Sequence, residues 1–149
     1  MKKTIQLLML LFLGVFTYAQ TTHTVNAGSF YYSPSELTIE QGDIVIWIND
    51  GGLHDVNGAI NSITNEPFNN PETFDSPSTS TVGAEIYSHT FNIAGSYNYD
   101  CSVGLHAENG MVGQIIVNPS STTVVDIIVG SEDHNTLETA VIAAGLVDA

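Results

Sequence analysis

Lysine and arginine are almost absent from this 149-residue sequence: Lys2 and Lys3 stand alone against 16 aspartates and glutamates. A surface that cannot neutralise phosphates excludes nucleic acid and anionic membranes as partners. Cysteine is equally scarce. With Cys101 the single one, an internal disulfide is excluded, and the thiol is free, joined to another molecule or bound to something. Long apolar runs are also lacking. The stretch Ile5 to Phe16 offers about 12 residues, short of the roughly 20 that span a bilayer.

What is present at the start fits a secretory signal over residues 1–19: Lys2 and Lys3, the apolar stretch, then Thr17-Tyr18-Ala19 as a small-residue cleavage site. Cleavage before Gln20 leaves an exported chain, secreted or periplasmic, with no membrane span and a formal charge moved from −14 to −16. Such a charge keeps a protein soluble and draws a basic partner toward it.

From Thr22 to Asn118 short apolar runs alternate with turn residues, the pattern of an antiparallel all-β sandwich. The expected strands are Thr22–Asn26, Phe30–Ser33, Glu36–Glu40, Asp43–Asn49, His54–Asn57, Ile86–Ile93, Ser96–Cys101 and Met111–Asn118. Alternation puts Tyr97, Tyr99 and Cys101 on one face and Met111, Gly113, Ile115 and Val117 on one face, both inward. Trp47 reads as core, and His89, in phase with Tyr87 and Phe91, as a partly buried structural histidine. His23 near the new N-terminus does not match the spacing of a terminal copper site, and His134 reads as a solvated helix-start residue. The stretch from Gly58 to Glu85 reads as a long polar loop, a kind often functional or mobile. Residues 119–123 read as a linker, and 124–149 turn to helical spacing, with Asn135 and Glu138 resembling a capping box.

The informative motif is Cys101-x4-His106-x4-Met111, with His54 placed 47 residues before the cysteine. Two imidazoles and one thiolate in a plane, with a weak thioether on the axis, are the ligand set of an electron-transfer copper site. The thiolate of Cys101 suits Cu(I), the imidazoles of His54 and His106 suit both oxidation states, and Met111 adjusts the potential without imposing a tetragonal geometry. Zinc normally takes a fourth strong ligand in place of a thioether. No further histidine cluster supports a catalytic position, so the reading is a carrier and not an enzyme.

These residues resemble the plastocyanin/azurin family of cupredoxins, through Asp43-Ile-Val-Ile-Trp47-Ile-Asn49, Leu53-His54-Asp55-Val56, Gly95-Ser-Tyr97-Asn-Tyr99-Asp-Cys101 and Gly110-Met111-Val-Gly113. The resemblance, over about Thr22 to Asn118, implies a Greek-key β-sandwich, one type 1 copper ion, and the shuttling of single electrons between a redox donor and acceptor; the copper-binding domain is expected over 20–118, as a monomer. Two departures stand out. The Cys101-to-His106 spacing is longer by two than in plastocyanins proper, and Asp55 stands where the family commonly has an asparagine that ties the ligand loops together. A charged Asp55 would accept hydrogen bonds but not donate them, and would favour Cu(II). The tail resembles the opening of a fasciclin-type domain, through Val124-Val-Asp126-Ile-Ile-Val and Ala143-Ala-Gly145-Leu146. That resemblance implies a chain that stops inside a second domain and suggests an alternative: an extracellular adhesion protein with a cupredoxin module beside a fasciclin one.

Overall fold

The computed structural model describes residues 20–120. The expected signal at 1–19, the helical extension at 124–149 and His134 within it lie outside the described residues. Within them the chain forms seven strands: β1 (Thr22–Gly28), β2 (Tyr31–Ser33), β3 (Glu36–Glu40), β4 (Ile44–Asn49), β5 (Glu85–Thr90), β6 (Gly95–Asp100) and β7 (Val112–Asn118). They make one sheet in the order β2-β1-β4-β5 and another in the order β3-β7-β6. The all-β, two-sheet sandwich expected from the sequence is the observed architecture.

Its pairing is mixed, contrary to the antiparallel reading. β1 lies parallel to β4 and β3 parallel to β7. The cause is the route of the chain: β3 lies in the other sheet from β1 and β4, and a chain that leaves a sheet and returns can pair parallel, which a tight hairpin cannot. Alternation within the strands holds as read. In β4 the residues Val45, Trp47 and Asn49 are wholly buried while their neighbours are half-buried. Tyr97, Tyr99, Cys101, Met111, Ile115 and Val117 all face the core. Tyr99 pairs with Gly113, and a Cβ at Gly113 would lie 2.3 Å from the Tyr99 ring. Glycine there lets the ring lie flat across β7.

The expected strand at His54–Asn57 does not form. His54 bridges Thr79, and Asn57 bridges both Asp75 and Asp100. The backbone groups are satisfied, but by partners from different segments, so no ladder extends. β5 ends at Thr90 and not at Ile93, because Phe91 turns to exchange backbone hydrogen bonds with Gly42 and Asp43.

The long loop between β4 and β5 is docked on the sandwich. Phe74 is buried and stacks against Trp47, with centroids 6.0 Å apart, and against His89 at 5.1 Å. The Asn70 amide donates to the carbonyls of Gly58 and Asn98 and accepts from the Asn98 N–H. Asparagine side chains can stand in for a missing β-partner in this way, which explains the loop's polar composition.

Candidate metal centre

Three donor-bearing side chains, His54, Cys101 and His106, converge at one end of the sandwich, and Met111 is buried in the same core cluster as Cys101. His54 follows β4, where the buried Asn49 shapes the turn: its amide donates to Gly52 O (3.0 Å) and Thr79 O (3.1 Å), and its oxygen accepts from Gly51 N (2.9 Å). Gly52 has a φ of 103°, and a Cβ on it would sit 2.6 Å from His54 Nε2. The turn therefore needs glycine twice over. His54 Nε2 lies 2.9 Å from Gly51 O. A carbonyl only accepts, so the ring proton sits on Nε2 and the Nδ1 lone pair faces the thiol.

Cys101 follows β6 and is fully buried. Its sulfur lies 3.9 Å from His54 Nδ1 and 3.4 Å from His106 Nδ1. The segment from Cys101 to Met111 folds back on itself through Cys101 N to Met111 O (3.1 Å), Met111 N to His106 O (3.0 Å) and Gly110 N to Ala107 O (3.0 Å). That closure carries the chain from β6 to β7 and leaves Met111 buried in the same core cluster as Cys101. The donor atoms of His54, Cys101 and His106 all lie within 4.8 Å of one another. Metal–donor bonds of about 2.0–2.3 Å in a trigonal plane place donors roughly 3.5–4 Å apart, and the two sulfur–nitrogen distances are already close to that range.

Burial, above all, pushes the Cys101 thiol up to about 11. Burial and then the neighbouring His54 ring hold His106 below the ordinary histidine value. The metal-free site is thus a neutral thiol beside a neutral imidazole, and metal binding must displace the thiol proton.

Two buried carboxylates tie down the segments around Cys101. Asp55 accepts the Ser102 N–H at 2.7 Å and the Ser102 hydroxyl, joining the residue after His54 to the residue after Cys101. The expected tie between the ligand segments is therefore made by an acid using acceptors alone. Tyr32 donates its hydroxyl to Asp55 O at 2.5 Å and steadies the same corner. Asp100 is wholly buried and accepts from Asn57 Nδ2 (2.8 Å), Ser62 Oγ (2.8 Å) and Ser62 N (2.6 Å). Burial raises its pKa, with the Ser62 and Asn57 hydrogen bonds opposing.

Asp100 escaped the sequence reading because strand alternation points it away from Cys101, and only the docked loop covers it. Phe30 escaped as well: its ring stands edge-on to His106, centroids 5.1 Å apart at 87°.

The other histidines among the described residues lie elsewhere. His23 binds Asp43 at 2.9 Å. His89 has a buried Nε2 without a hydrogen-bond partner, 3.7 Å from Glu72, and burial holds its pKa down.

A two-sheet sandwich with a buried cysteine and two histidines at one end defines a protein of the cupredoxin type. The chain belongs to the plastocyanin/azurin family of copper binding proteins, whose family model matches residues 19–118. Copper is the metal this donor set fits. Among curated relatives, the chloroplastic plastocyanin of Tetradesmus obliquus is 28% identical over 97 residues, covering 62% of this chain and 61% of that protein's length. The plastocyanin of Scenedesmus fuscus is 29% identical over 97 residues, covering 62% of this chain and 91% of its own. Solved structures that resemble the chain include a reduced amicyanin mutant, 26% identical over 67% of this chain and 83% of the other, with a TM-score of 0.48. A reduced Cu(I) form of another amicyanin mutant is 24% identical over 69% of this chain and 86% of the other, also at 0.48.

Proposed function

We propose that this chain carries single electrons between larger redox proteins, with His54, Cys101, His106 and Met111 as the ligands of one type 1 copper ion. The observation that carries the reading is the convergence of one sulfur and two imidazole nitrogens within 4.8 Å, with a methionine buried in the same core cluster as the cysteine. When bound, copper supplies a one-electron Cu(II)/Cu(I) couple. The protein holds the donors in place for both oxidation states: Gly51 O orients His54, Asp55 locks its segment to Ser102, and the Cys101–Met111 closure fixes the rest.

Electrons enter and leave by the rim around His106, where Gly52, Leu53, Gly104 and Leu105 are exposed. Ala107, in the same loop, is buried and does not contribute. Small contacts of this kind suit transient encounters, and a basic donor or acceptor matches a surface with no lysine or arginine beyond residue 3. Export through residues 1–19, a domain ending at 118, a linker at 119–123 and a monomeric state complete the proposal. The fasciclin-like segment at 124–149 adds a proposed neighbouring module.

Adding Cu(II) to the purified protein should give an intense visible band that is lost in Cys101→Ser. A colourless protein that takes up no copper overturns the proposal.

A further inference from the structure

The backbone of Phe30 is one that its side chain disfavours. β1 and β2 are joined by Ser29 and Phe30 alone, with Gly28 paired to Tyr31, and Phe30 has a φ of 60°. A left-handed residue at this turn position is ordinarily glycine or asparagine, because a Cβ crowds the following carbonyl. Among the described residues the other non-glycines with positive φ, Asn65 and Asn69, are of the tolerant type. Core burial does not offset the strain at Phe30, whose side chain is 47% exposed.

What the strained turn achieves is a contact. The Phe30 ring meets the His106 ring edge-on at 5.1 Å, within the range where aromatic pairs attract beyond their buried area. The two histidines of the site are held differently. His54 is buried and its outer nitrogen is bonded to Gly51 O. Among the described residues the His106 ring has no hydrogen-bond partner except the Cys101 sulfur. A metal-binding histidine usually has its second nitrogen oriented by a carboxylate or carbonyl, whereas the contact shown for the His106 ring is the Phe30 ring at right angles to it.

We propose that Phe30 is a positioning residue for His106. Its ring, projected by a turn of unfavourable backbone, fixes the imidazole's orientation and keeps water from its flank. The inference rests on the reading of His106 as a copper ligand. A fixed, drier imidazole retains copper longer and favours Cu(I), since the apolar shell around a metal controls solvent access and potential.

Two variants separate the contact from folding. Phe30→Asn removes the ring while suiting the left-handed backbone, so the fold is retained; Phe30→Tyr keeps the ring. In the asparagine variant, copper should be stripped by a chelator roughly three- to tenfold faster, the scale of one aromatic pair. Its reduction potential should fall, and its thermal midpoint should hold or rise. NMR of the metal-free protein should show the His106 ring protons losing the displacement caused by the Phe30 ring current. The tyrosine variant should restore wild-type values throughout. Wild-type copper loss, potential and His106 shifts in Phe30→Asn would overturn the proposal. A wild-type protein that binds no copper overturns the ligand reading instead, and the metal-free spectra then decide the Phe30 contact by themselves.

Discussion

Asp55 has two effects that asparagine would divide. Both of its oxygens accept from Ser102, which joins the His54 and Cys101 segments mechanically. If the site holds copper as proposed, a carboxylate there would also place negative charge near the metal and favour Cu(II) over Cu(I). Asp55→Asn keeps one acceptor and the side-chain shape while removing the charge. The reduction potential should rise by on the order of 100 mV, about 2 kcal/mol for one electron, which is what a unit charge roughly 8 Å away contributes at an effective dielectric near 20. A redox titration that finds the two proteins equal would show that Asp55 acts only as a tie.

At the scale of elements, the start of β4 is fastened to two neighbours by one side chain. Asp43 accepts from Thr21 N (2.8 Å), Glu40 N (3.1 Å) and the His23 ring (2.9 Å), so it joins the approach to β1, the end of β3 and β4. Burial alone would raise its pKa, but the His23 hydrogen bond and the two backbone N–H donors outweigh it and the value is lowered from 3.8. A lowered folded-state value means stability that is present above about pH 4 and is lost as pH falls through the folded value. Asp43→Asn should cost about 2 kcal/mol at neutral pH, the scale of hydrogen bonds to a charged group. The gap to wild type should close in denaturant titrations below pH 4; a gap unchanged at low pH would remove charge from the explanation.

At the scale of the whole molecule, charge and fold act on different things. The buried Asp43, Asp55 and Asp100 tie segments of the sandwich together, but the sixteen acidic side chains with no lysine or arginine past residue 3 also set a long-range field. If that field steers a cationic redox partner, electron-transfer rates should fall roughly tenfold or more between low salt and a few tenths molar salt, as exposed charges are screened. Stopped-flow rates against a basic partner that do not change with ionic strength would assign the acidity to solubility alone.

Composition and local pattern were enough to place much of this protein. The spacing of Cys101 and His106, with His54 upstream, pointed to three donors that the fold brings within 4.8 Å of one another, because ligand chemistry constrains residue type and short loops constrain spacing. Inward rows such as Tyr97, Tyr99 and Cys101 were legible because strand alternation is a local property. The tertiary structure alone decided the rest. Parallel pairing of β1 with β4, the dispersal of His54–Asn57 among Thr79, Asp75 and Asp100, the covering of Asp100 by the Ser62 loop and the meeting of Phe30 with His106 each join segments far apart in the chain. A side chain's own neighbours in sequence carry no record of such partners, since the contact energy arises only after the two sheets have packed.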